Sequence, residues 1–198
     1  MSVGVHSTRG SSSKLQDQET RTMGDKSVDH YLQSLQDEIA GSISGMAAEQ
    51  LKWHPEGKWC VAEVLEHLYL TYHGTVKGCV HCLQEGKPLA RTPSLQDRMK
   101  AGVVVGLGYM PPGRKAPERS RPRGMAADEV VKAIALELTA MDAAITKCEE
   151  QFGKSTRVMD HPILGPLTAQ QWRKFHWVHG RHHVKQIWHL RNRATLHT

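Results

Sequence analysis

Apolar residues recur at alternating spacings of three and four in four stretches of this chain, a period that dictates packed helices rather than strands. The clearest stretch runs from about Ala127 to Gln151. There Val131, Ile134, Leu138, Met141, Ile145 and Cys148 form a heptad-like seam suited to an antiparallel partner. Asp128 and Glu129 stand near its N-terminus, where the helix dipole favours carboxylates. A first helix is predicted over about Val28 to Ile43, with Val28, Tyr31, Leu32, Leu35 and Ile39 on one face. A second starts near Val61 and runs to about Leu83, with Val61, Val64, Leu65, Leu68 and Tyr72 as its stripe. A fourth opens on the capping pattern Thr168-x-x-Gln171 and continues to about Arg193.

Between the second and third helices, residues 85–124 have little periodicity, and Pro111-Pro112-Gly113 breaks any helix there. A short helix around Ser94 to Ala101 fits part of this segment. Strand-like alternation is scarce throughout. The expected fold is therefore all-α, a four-helix bundle with a long crossover between helices 2 and 3. Residues 1–25 hold hardly any large apolar side chains and are expected to be disordered, which leaves residues 26–195 as one domain. A hydrophobic content of 39% is enough for its core.

No run of about 18 apolar residues suggests a membrane span, and the N-terminus lacks a signal-peptide pattern. Cys60, Cys79, Cys82 and Cys148 then read as reduced thiols, consistent with a cytoplasmic location. Cys79-Val-His-Cys82 falls within the second helix, where two small core-facing thiols are the simple reading. Net charge is +6, and the basic residues cluster. Arg114, Lys115, Arg119, Arg121 and Arg123 form one group, which with Asp97-Arg98 could make an anion-binding lip. Arg173, Lys174, Arg181, Lys185, Arg191 and Arg193 form another. Such patches attract nucleic acid or small anions. The second group is spread around its helix and no DNA-binding motif accompanies it, which disfavours nucleic acid.

Thirteen histidines direct the search for chemistry. On the fourth helix, positions 172, 176, 179, 183, 187 and 190 make one stripe. His179 and His183 lie one turn apart on it, so both imidazoles can face one centre. The intervening residues Gly180, Arg181 and His182 lack the glutamate of the zinc-protease helix. His67 lies close to the buried stripe of the second helix and is the natural third ligand. Glu63, one turn earlier, is a candidate to orient a ligand, bind metal or move a proton. Three neutral imidazoles suit Zn, Ni, Cu or Fe and leave coordination positions open. The plainer alternative is a set of imidazoles hydrogen-bonded in the core, and His176, His182 and His189 need no other role. The five tryptophans are either pocket wall or bundle core.

Trp59-Cys60-Val61-Ala62-Glu63-Val64-Leu65-Glu66-His67-Leu68 resembles the second-helix signature of the DinB-like superfamily. His179-x-x-x-His183-x-x-Gln186-Ile187 resembles its last-helix signature, and His161-Pro162-x-x-Gly165-x-Leu167-Thr168-x-x-x-Trp172 resembles one subgroup. The resemblance spans about residues 28–193. It implies a four-helix bundle, a divalent metal (Zn, Ni or Fe) on His67, His179 and His183, and a homodimer. It also implies a small-molecule substrate, with thiol-dependent S-transfer or hydrolysis among the expected reactions and a non-catalytic metal- or ligand-binding stress module as the alternative. A low-molecular-weight thiol bearing carboxylates would suit the basic flank, with Arg181 a candidate to hold it. Cys60 departs from the Ser or Thr often found at that helix cap. A thiol there is either a small buried side chain or one with a lowered pKa.

Overall fold

The computed structural model describes residue 1, residues 29–111, residue 113 and residues 115–195. The expected disorder of residues 1–25, Val28 at the head of the first helix and Arg114 of the basic group lie outside the described residues, Met1 aside. The elements run α1 (His30–Ile43), α2 (Ala48–Lys52), α3 (Val61–Gln84), α4 (Leu95–Ala101), a π turn (Gly102–Gly106), a 3-10 turn (Glu118–Ser120), α5 (Ala127–Phe152), β1 (Arg157–His161), β2 (Gly165–Thr168) and α6 (Ala169–Ala194). The four long helices α1, α3, α5 and α6 form the bundle, and the segment from α3 to α5 is the long crossover. None of the described helices is long and apolar enough to cross a membrane.

The apolar stripes meet in one core. Leu32, Leu35 and Ile39 of α1 are buried with Val61, Val64, Leu65, Leu68 and Tyr72 of α3 and with Ile134, Leu138, Met141 and Ile145 of α5. On α5 it is Val130 rather than Val131 that is fully covered. Helix α3 packs along α5, and α1 packs along α6. Gly180 allows the second pairing, because a Cβ there would stand 2.5 Å from Leu35 Cδ1. Arg173, counted above in the second basic group, is buried on α6. Its Nε donates to Asp142 at 2.9 Å, and its two terminal nitrogens donate to Glu149 at 2.5 Å and Thr146 at 2.7 Å, all on α5.

The helix starts follow their caps. Thr168 Oγ1 accepts the N–H of Gln171 at 3.3 Å and the side-chain Oε1 of Gln171 accepts the N–H of Thr168 at 3.0 Å, closing the box expected for α6. Cys60 makes the same box at α3: its Sγ accepts from Glu63 N at 3.4 Å, and the Glu63 carboxylate accepts from Cys60 N at 2.8 Å. Burial pushes the Cys60 thiol up, so the lowered pKa considered for it does not hold. The two-stranded antiparallel hairpin β1–β2 was not expected. A register irregularity between Arg157 and Met159 puts the consecutive residues Val158 and Met159 both in the core, which erases the alternation that marks a strand.

Candidate metal centre

His67 on α3 faces His179 and His183 on α6. Nε2 of His179 lies 3.2 Å from Nε2 of His67 and 3.1 Å from Nε2 of His183, and the three ligand atoms all fall within 4.8 Å of one another. The hydrogen bonds on the far side of the rings decide what these nitrogens offer. His67 Nδ1 meets the Ser120 carbonyl at 2.7 Å, and His183 Nδ1 meets Gln186 Oε1 at 3.0 Å. Both partners only accept, so each Nδ1 carries the proton and each Nε2 is a bare lone pair. A proton on His179 Nε2 could satisfy one of these lone pairs, not both, and would leave buried His179 Nδ1 an acceptor without a partner. A bound cation would take all three Nε2 lone pairs at once, with the His179 proton then on its buried Nδ1. The two separations from His179 approach the roughly 3.3 Å expected between nitrogens on a tetrahedral ion with ~2.05 Å bonds. The donor set therefore fits a divalent metal.

Electrostatics keeps the rings in the ligand form. Burial lowers the pKa of His67, and burial with the neighbouring His67 lowers His183 to about 3. Burial, then His183 and His67, holds His179 well below the ordinary imidazole value. All three are neutral near pH 7, as metal ligation requires.

The three histidines line an open cavity of about 1480 Å³. Trp59, Trp172 and Phe175 contribute to its wall, whereas Trp53, Trp177 and Trp188 lie elsewhere. Five cationic residues also line it: Lys58, Lys100, Lys115, Arg119 and Arg121. Its carboxylates, Glu63 and Asp160, are engaged, the first by Cys60 N and the second by Arg91 Nε at 3.3 Å. Cations thus outnumber carboxylates five to two on its lining, a balance that favours anions.

Not every sequence candidate reaches this cavity. Arg181 is exposed, its Nε donates to Glu38 at 3.1 Å and its guanidinium lies 4.9 Å over the Trp177 ring, so it does not line the cavity. Asp97 and Arg98 do not line it either. The Asp97 carboxylate accepts from Arg91 at 2.7 and 3.0 Å and from Ser94, and Arg91 holds it well below the usual carboxylate range. Of the residues considered for the lip, Lys115, Arg119 and Arg121 line the cavity. Glu63 lines the cavity, yet the orienting partner of His67 is Ser120. His176 is fully buried, with Nε2 2.9 Å from Thr75 Oγ1. Cys79 and Cys82 are buried thiols with raised pKa values, Cys79 by Cys148 and burial, Cys82 by burial.

Sequence reasoning gave no role to His161, which ends β1 and lines the cavity. Its Nδ1 accepts the N–H groups of Ile163 at 3.1 Å and Leu164 at 3.0 Å. The proton therefore sits on Nε2, a fixed neutral donor with no partner among the described residues. Burial lowers its pKa to about 4. The signal was the His-Pro-x-x-Gly segment, whose Gly165 (φ 75°) closes the turn that supplies those N–H groups.

The model of a family described as "Protein of unknown function (DUF1569)" matches residues 26–189. The solved structure of YfiT from Bacillus subtilis, described as a probable metal-dependent hydrolase with an unusual four-helix bundle topology, is similar with a TM-score of 0.52. It is 18% identical, over 96% of this chain and 94% of that one. At that identity the likeness carries the fold and not the activity. No curated protein matches the chain.

Proposed function

We propose, for a chain that belongs to the DUF1569 family of proteins of unknown function, that it is a DinB-like divalent-metal-dependent enzyme acting on a small anionic molecule. The observation that carries this reading is the convergence of three neutral Nε2 lone pairs at one point of an open cavity with a cationic rim. A divalent ion bound there would lower the pKa of water or a thiol and polarise a substrate oxygen.

The chain's own residues have distinct parts. His67, His179 and His183 hold the ion, with Ser120 and Gln186 orienting two of them. Lys115, Arg119 and Arg121 draw in a carboxylate or phosphate. His161 donates its Nε2–H to a substrate oxygen. Glu63 Oε1 has no partner among the described residues and is placed to accept a proton. Trp59, Trp172 and Phe175 exclude water. Hydrolysis is the first reaction to test, supported by the description of YfiT. Thiol transfer is the second, supported by the DinB-like motifs and by a rim that suits a carboxylate-bearing low-molecular-weight thiol. The native metal on this reading is Zn, Ni or Fe, the assembly a homodimer, and the compartment the reducing cytoplasm, which suits four unpaired cysteines.

Elemental analysis of untreated protein should find one equivalent of a divalent transition metal, and His183→Ala should lose it. Equal metal content in His183→Ala overturns the triad. A panel of esters, amides and thiol–electrophile pairs then follows. Turnover that depends on metal and vanishes in His183→Ala supports the enzyme. Stoichiometric metal without turnover across the panel supports a metal- or ligand-binding module instead.

A further inference from the structure

The residue before the α3 ligand is Glu66, whose side chain is buried although it is a carboxylate. Its oxygens accept three consecutive backbone N–H groups of the crossover: Arg123 at 2.7 Å, Gly124 at 3.1 Å and Met125 at 3.0 Å. Gly124 at φ 92° lets these donors turn towards one group. Three residues upstream, the Ser120 carbonyl receives His67 Nδ1–H. Adjacent residues on α3 thus grip one strap, 120–125, at its two ends. The other hydrogen bonds found in the strap are local: Ser120 N and Oγ donate to Pro117 O, and Arg121 bonds Glu118 and Ala116. They shape it without tying it to the bundle.

We infer that Glu66 is a positioning residue of the metal centre: it pins the strap so that the Ser120 carbonyl holds His67 in the Nδ1–H tautomer and leaves Nε2 free to ligate. This rests on the reading of His67, His179 and His183 as metal ligands. A neutral imidazole takes its proton on either ring nitrogen, and the partner of one nitrogen selects the state of the other. A strap released from Glu66 withdraws that partner. The same release frees Arg119 and Arg121, which line the cavity. One buried carboxylate therefore sets both the ligand and the charge that faces an incoming anion.

The test is Zn²⁺ affinity of the full chain, measured by competition with a chromophoric chelator, for wild type, Glu66→Gln, His67→Ala and the double variant. Glu66→Gln keeps the shape but replaces one accepting oxygen with a donor. It should weaken Zn²⁺ binding about 10- to 100-fold, the range for partners that orient a ligand. In the His67→Ala background the same change should cost less than about 3-fold, because the route through His67 is gone. Nitrogen chemical shifts of His67 in the metal-free Glu66→Gln protein should show mixed tautomers. If Glu66→Gln does not fold, Glu66→Asp, which keeps both oxygens on a shorter arm, takes its place in the cycle. Unchanged affinity, or equal losses in both backgrounds, overturns the inference. Absence of Zn²⁺ binding by wild type overturns the triad reading first, and so is told apart.

Discussion

His161 and His176 carry pH dependence that has nothing to do with metal ligation. Burial lowers His161 to about 4, and burial with the charge of His161 lowers His176 to about 3. An unfolded chain protonates both near pH 6.5. The stability each contributes is complete above that pH and is lost as pH falls from 6.5 towards the folded values. The loss is roughly 2.5 kcal/mol per histidine by pH 4.5. Urea midpoints of the metal-free protein should fall between pH 7.5 and 4.5, and by less in His176→Gln. An equal fall in that variant would sink the assignment to His176. At this scale the sequence announced His179 and His183 through their spacing. It could not announce Ser120, Gln186 as an orienting partner, or the fixed tautomer of His161, because a proton's position depends on what lies across the ring.

The long helices were legible because each has an apolar stripe and a recognisable start, down to Thr168 and Gln171 at α6. The hairpin was not, since the bulge at Val158–Met159 destroys the period-2 signal while burying both side chains. Gly180 shows the same limit. By propensity it weakens α6 by about 1 kcal/mol relative to alanine. Its neighbour in space reverses the sign, because an added Cβ would meet Leu35 Cδ1 at 2.5 Å, Cδ2 at 2.6 Å and Cγ at 3.0 Å. Gly180→Ala should therefore destabilise the protein by about 1–3 kcal/mol, as overpacking of a tight contact does. Shortening Leu35 in the same chain should recover part of this. Denaturant unfolding of the single and double variants measures it, and a stabilised Gly180→Ala would refute the close α1–α6 approach.

For the whole molecule, α3 packs along α5 and α1 along α6. The histidine triad bridges these two pairs, as does the buried Arg173 with Asp142 and Glu149. A metal on the triad should thus behave as a staple across the bundle. At a free concentration about 100 times Kd it should add about 2.7 kcal/mol, or roughly 5–10 °C in Tm for a domain of this size. Chelation should remove that gain, and His67→Ala should show none in thermal scans. By itself the sequence determined the helices, their buried faces, the long crossover and the histidine pair on α6. Those features are periodic and local, so neighbours in sequence suffice to specify them. Only the tertiary structure decided that His67 meets that pair and that Arg181 turns to Glu38. It also decided that the strap from Ser120 to Met125 closes on Glu66 and His67. Each depends on partners 53 to 143 residues away in the chain, where only packing sets the distance.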